Sequence, residues 1–295
     1  MQKDHYCNQP IPTLRRETIQ SSSPNSDSAS SRIVGLQVCG CLIHYRYKLL
    51  VKRYNEGAVS FRHCVFFQLE EYRGIDKNDR RSFAYQLYEI FFKYVDVVPQ
   101  NVFFLNGTTT NIEEECSLFE KAMKEKGGIH LFVADVNSEA SIGGNAPGSS
   151  LHGRTRLKTL TSQVLNDRSY SCNGQGDRDY GTLLSSNQPL ETKAVLTMGL
   201  GNMMDSVEVI ALFLGAQCAR ALHHVVEEPV ANLFPASILQ FHSRVTIVCE
   251  RFSISTLRYT NVEYFVGIHH NCNAMDRCTS CGDFRRRWSN CGIKE

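Results

Sequence analysis

Six short apolar runs punctuate this chain: RIVGLQV, HCVFFQL, GIHLFVADV, KAVLTMGL, VEVIALFLG and SRVTIVCE. Each is apolar at nearly every position rather than at alternate ones. That pattern belongs to strands covered on both faces, and so to a parallel sheet. Between the runs lie stretches with helical spacing. IHYRYKLLVKRYNEG stops at Gly57, and RRSFAYQLYEIFFKYV keeps one apolar face. NIEEECSLFEKAMKEKGG opens on Asn111 with acids in its first turn and closes on a glycine pair. AQCARALHHVVEE follows VEVIALFLG directly. Strand–helix alternation with short links predicts an α/β fold, a Rossmann-like doubly wound sheet with helices on both faces, over residues 32–268. Ligands of such sheets sit at the carboxyl ends of the strands. The loops after RIVGL, HCVFF and IHLFV are therefore the candidate site.

The ends of the chain have another texture. Residues 1–31 contain SSSPNSDSASS and no periodic apolar pattern, and read as a disordered leader. Residues 269–295 contain one C-x-x-C pair, Cys278 and Cys281, with His269, His270, Cys272 and Cys291 scattered around it. Zinc takes four ligands, usually as two close pairs, so this segment reads as a Cys- and Arg-containing disordered tail and no metal site is expected. A formal net charge of +2 gives no ground for nucleic-acid binding. No apolar run approaches the length of a membrane span, and MQKDHYCNQP has no apolar core of a secretory signal. The chain has 12 cysteines, and Cys39, Cys41, Cys64, Cys218 and Cys249 lie in or beside apolar segments. That fits reduced thiols in a cytoplasmic protein better than a disulfide framework.

The loops carry a resemblance. Through QLEEYRG, NVFFLNG, GGIHLFVADV, NAPGSSLHGRTRLKTL, MGLGNMMDSVEVIALFLGAQ and VEYFVGI, the chain resembles the glucosamine-6-phosphate deaminase (isomerase) family, nearly collinearly. The resemblance implies conversion of glucosamine 6-phosphate to fructose 6-phosphate and ammonia, without metal or organic cofactor. It also implies a sugar-phosphate ligand and a homo-oligomer. The family's first strand and helix have no clear counterpart here.

Several site positions depart from the family's pattern. Glu70 stands where the family usually has the Asp that moves the C2 proton; it is one methylene longer. On the residues alone, Glu70 and Glu71 read as a solvated acidic turn rather than as a base. In VNSEASIGGNAPG the ring-opening Asp, His and Glu of the family are replaced by Glu139, Ser141 and Ala146. Serine has no near-neutral pKa and alanine has no proton to give. At the phosphate end, Cys39, Gly40 and Cys41 replace a run of Thr, Gly and Ser. Arg168 falls at a phosphate-binding Arg, and Cys218 replaces a phosphate-binding Lys; by itself Cys218 reads as a buried small residue. Ser149, Ser150, Arg156 and Lys158 match an effector site of bacterial members, although RTRLK also reads as a solvated strand. Two functions stay open. One is an amino-sugar-phosphate deaminase with Glu70 as base, Glu139 as residual ring-opening carboxylate and Arg168 on the phosphate. The other is a catalytically impaired relative that binds a sugar phosphate or another subunit. The 6-phosphogluconolactonases share the fold, but NAPGSSLHGRTR favours the deaminases.

Overall fold

The computed structural model describes residues 32–36, 41–160, 194–276 and 292–294. The leader 1–31, Cys39, Gly40, Arg168 and residues 277–291 of the tail lie outside the described residues. The chain alternates strand and helix from its first described element, with β1 (Arg32–Leu36), α1 (Cys41–Asn55) and β2 (Cys64–Gln68). After β3 (Glu70–Tyr72) come α2 (Phe83–Ile90), β4 (Val102–Phe103), α3 (Ile112–Glu125) and β5 (Leu131–Asp135). β6 (Arg156–Thr159), β7 (Ala194–Thr197), α4 (Leu200–Met204) and β8 (Glu208–Phe213) follow. The last elements are α5 (Ala219–Glu227), β9 (Val245–Cys249), α6 (Tyr259–Asp276) and β10 (Gly292–Lys294).

The main sheet has the order β10-β9-β8-β5-β1-β2-β4, and its pairs run parallel. From β1 the chain builds outward to β2 and β4, then returns to the other side of β1 with β5, β8 and β9. The direction of growth reverses between β1 and β5, which is where an open α/β sheet forms its ligand crevice. β2 and β8 are buried along nearly their whole length, so apolar side chains serve both of their faces. On β2, Val65 and Phe67 join the core shared with Phe119 of α3 and Leu222 and Val225 of α5. Phe66, between them, faces the other way and packs with Tyr47, Leu87 and Phe91.

α3 begins and ends as its sequence predicts. The Asn111 side chain accepts from the Glu114 N–H, Glu113 to Glu115 fill the first turn, and Gly127 and Gly128 follow with positive φ. Two expectations change. RRSFAYQLYEIFFKYV is not one helix. α2 stops at Ile90, Phe91 leaves helical geometry at φ −137°, and a 3-10 turn covers Phe92–Tyr94. The reason is packing: the Phe91 ring meets Tyr47, Phe61 and Phe66 at centroid distances of 5.1, 5.0 and 5.9 Å. KAVLTMGL is a strand, but not of the parallel sheet. β7 is the middle strand of a separate antiparallel sheet of order β3-β7-β6. Its residues are buried on both sides, so the alternation that marks an antiparallel strand is hidden. Beyond residue 268, α6 continues to Asp276, and Gly292–Lys294 pairs with β9.

Candidate functional site

Two segments meet beside the carboxyl ends of β2 and β5. The first is β3, whose Glu70 is 1% exposed. The second is the loop that leaves β5 and runs from Val136 to β6. They are joined through Thr197 of β7. Thr197 lies opposite Glu70 on one side and opposite Arg156 on the other. Paired residues of neighbouring strands put their side chains on the same face, with Cβ atoms about 5 Å apart. The Thr197 hydroxyl also accepts the Gly144 N–H at 3.1 Å, which brings the loop against the strand carrying Glu70. Gly143 and Gly144 permit that approach: a Cβ at Gly144 would stand 2.6 Å from Val195 Cγ2 and 2.9 Å from Thr197 Cβ.

The loop holds its own shape with asparagines. Asn137 Oδ1 accepts from the backbone N–H of Glu139 (3.0 Å) and of Ser141 (2.9 Å), a turn that places Ala140 at φ +56°. Asn145 is buried. Its Nδ2 donates to the carbonyls of Ile142 (3.0 Å) and Met198 (2.8 Å), and its Oδ1 accepts from an Arg156 guanidinium nitrogen at 3.0 Å. The Ser149 hydroxyl donates to the Ala146 carbonyl at 2.5 Å. On the far side, Gly148 N–H donates to Asn232 O and Ala236 N–H to Ala140 O, each at 2.8 Å, so PVANLFPAS backs the loop.

Proton carriers are sparse here. Ser141 is 2% exposed and its hydroxyl has no hydrogen-bond partner among the described residues. Ala146 is buried in the aromatic core. Glu139 is half-buried. Cys218 is 4% exposed, and its thiol donates to the Val136 carbonyl at 3.3 Å. Burial, first, and the Asp135 charge push its pKa up to about 12, so it brings no charge to the site at neutral pH. Such a thiol is expected to resist iodoacetamide at pH 8 in the folded protein and to react once the chain is unfolded in urea. Peptide mass spectrometry checks this, and rapid native labelling of Cys218 would contradict its burial. Arg220 is exposed and donates to the His224 Nε2 at 3.3 Å, pointing away from Val136 as its helical offset from Cys218 predicts.

No protein-family model matches the chain. Individual relatives do. The glucosamine-6-phosphate deaminase of Drosophila pseudoobscura pseudoobscura is 36% identical over 224 residues, 75% of this chain and 77% of that one. Glucosamine-6-phosphate deaminase 2 of Bos taurus is 36% identical over 229 residues, 78% of this chain and 79% of its own. The chain belongs to the glucosamine-6-phosphate deaminase family. Among solved structures, a monomeric glucosamine-6-phosphate deaminase, described as a missing link of the NagB superfamily, superposes with a TM-score of 0.67 at 27% identity, covering 77% of this chain and 88% of that one. The 6-phosphogluconolactonase of Thermotoga maritima, at TM-score 0.54 and 13% identity over 76% of this chain and 88% of that one, shares the fold.

Membership in the deaminase family gives the sparse site its meaning. The fold brings Glu70, Ser141, Ala146 and the loop bearing Glu139 to one region. Ser149 and Arg156 are engaged inside the loop, and burial lowers the Arg156 pKa. Ser150 is exposed and Lys158 half-buried. Cys41 is the first residue of α1. Sequence reasoning missed Thr197 as the joint. Its only sequence signal is a polar residue ending an otherwise apolar strand, which many strands show. Among the described residues no group of three or more His, Cys, Asp or Glu side chains could hold a metal ion, and no helix is long and apolar enough to cross a membrane.

Proposed function

We propose that the chain is a slow glucosamine-6-phosphate deaminase, with Glu70 as the base that moves the C2 proton. The observation that carries this is a carboxylate buried at a strand end and held opposite Thr197, whose hydroxyl fixes the neighbouring loop. On the open-chain sugar, Glu70 would take the proton from C2 and return it to C1. The resulting ketose imine adds water and releases ammonia, leaving fructose 6-phosphate. Glu139 is the remaining ring-opening carboxylate, and Arg168 is assigned to the phosphate on resemblance. Ser141 and Ala146 cannot shuttle a proton, and such a loss costs about 10²–10⁴ in rate. Turnover then depends largely on spontaneous ring opening.

The second reading, a sugar-phosphate-binding or subunit-interaction protein, is favoured by Cys218, which supplies a neutral thiol where the family supplies a lysine. One assay separates the two. Purified protein with glucosamine 6-phosphate is expected to release ammonia and fructose 6-phosphate slowly. The double variant Ser141→His with Ala146→Glu is expected to raise that rate about 10-fold or more. No turnover in either protein, with the sugar phosphate bound, would establish the second reading.

The finer assignments rest on the resemblance and the composition. We place the protein in the cytoplasm, as its free Cys64, Cys116, Cys218 and Cys249 suggest. A homo-oligomer is the family expectation, although one related structure is of a monomeric deaminase. For Ser149 and Arg156, the inward hydrogen bonds favour bracing of the loop over effector binding.

A further inference from the structure

Glu71 is a buried ionisable group that the proposed chemistry does not use. It is 1% exposed, like Glu70, and adjacent residues of a strand point to opposite faces. Its Oε1 accepts from the backbone N–H of Tyr72 (2.9 Å) and Phe83 (3.1 Å). Its Oε2 accepts from Gln68 Nε2 (3.0 Å), the Ser82 hydroxyl (2.7 Å) and the Ala84 N–H (3.0 Å). Ser82 in turn caps α2 by accepting from Ala84 and Tyr85 N–H. Gln68 Oε1 accepts the Leu105 N–H at 3.0 Å, which extends the network to the segment after β4. Among the described residues these five groups all donate to the carboxylate, so the cradle fits the ionised form. Burial pulls the other way and raises the Glu71 pKa, while the hydrogen bonds from Ala84, Ser82, Gln68 and Tyr72 lower it.

β3 needs such an anchor. It has three residues and lies at the end of its sheet, paired among the described residues with β7 alone. A short edge strand held from one side leaves its outer face to be fixed by something else. We propose that Glu71 is the positioning residue for Glu70, fixing β3 against the first turn of α2 so that the Glu70 carboxylate keeps one place. The proposal rests on Glu70 being the base. Its physical basis is the sensitivity of proton transfer to placement: a shift of about 1 Å can cost about 100-fold.

The test uses the full chain and follows deuterium incorporation from solvent into the sugar phosphate by NMR. Glu71→Gln keeps the shape but turns an N–H₂ group toward N–H donors. It is expected to lower kcat for exchange about 10- to 100-fold, with KM within about threefold, in a protein whose circular dichroism is unchanged. A purely structural role would lower the folded fraction and leave kcat per folded molecule unchanged. Should Glu71→Gln fail to fold, Ser82→Ala removes a single donor and is expected to lower kcat about 3- to 10-fold. Unchanged kcat in whichever of these variants folds would overturn the proposal alone, provided Glu70→Gln abolishes exchange. Exchange that survives Glu70→Gln would overturn the Glu70 reading and this proposal together.

Discussion

Replacing Glu70 by glutamine is expected to lower deuterium exchange at C2 about 10²- to 10⁴-fold, the usual worth of a general base. The amide is isosteric with the carboxylate, so melting temperature and KM should change little. Glu70→Asp carries a different expectation. The family usually has Asp here, and shortening the side chain by one methylene moves the carboxylate to the family's ordinary position. Exchange in Glu70→Asp should therefore equal or exceed that of the native chain. The pair of variants separates chemistry from reach. Full exchange in Glu70→Gln would remove Glu70 from the mechanism. Loss in both variants would show that the site has been rebuilt around the longer side chain. The measurement follows a partial reaction, so it remains informative even where release of ammonia is slow.

Gly199→Ala is expected to destabilise the fold by about 3 kcal/mol or more, at the upper end for forced overpacking. A Cβ there would coincide with the Gly153 carbonyl oxygen and stand 2.6 Å from Arg154 N. These are backbone atoms, which cannot swing aside as a side chain can. The same carbonyl accepts the Gly201 N–H at 2.9 Å, so displacing it also breaks a hydrogen bond at the start of α4. The damage should travel along the chain from Gly153 to Arg156 and loosen its bond to Asn145. Gly148→Ala is the control. Its φ of +80° is strained for alanine, but nothing lies within 4 Å of the added Cβ. A loss of about 1–2 kcal/mol is expected there. Urea unfolding of both variants checks the difference; equal midpoints would mean that the close approach at Gly199 is not what requires glycine.

The glycine result illustrates what the sequence could and could not express. The parallel strands were legible because burial on both faces makes a strand uniformly apolar, and α3 was legible because Asn111 and the glycine pair mark its ends. The break at Phe91 was not, because FAYQLYEIFFKYV keeps helical spacing and only the packing of aromatic rings decides where the helix stops. β7 was legible as a strand, but not its direction, since direction is set by partners far away in sequence. At the candidate site, Glu70, Ser141, Ala146 and Cys218 were singled out by comparison of residue types. Glu71 and Thr197 were not, because a carboxylate in a turn and a threonine at a strand end look ordinary until their partners are known. For Ser149 and Arg156 the sequence left an effector site and a solvated strand both open, and the structure adds that both side chains hydrogen-bond within the loop.

The loop after β5 is braced by Asn137, Asn145, Ser149 and Thr197, none of which gains or loses a proton near neutral pH. Shape and reactivity are thus encoded in different residues. Such a division lets residues such as Ser141 and Ala146 vary while the scaffold persists, so that each variant along a mutational path still has a folded protein for selection to act upon.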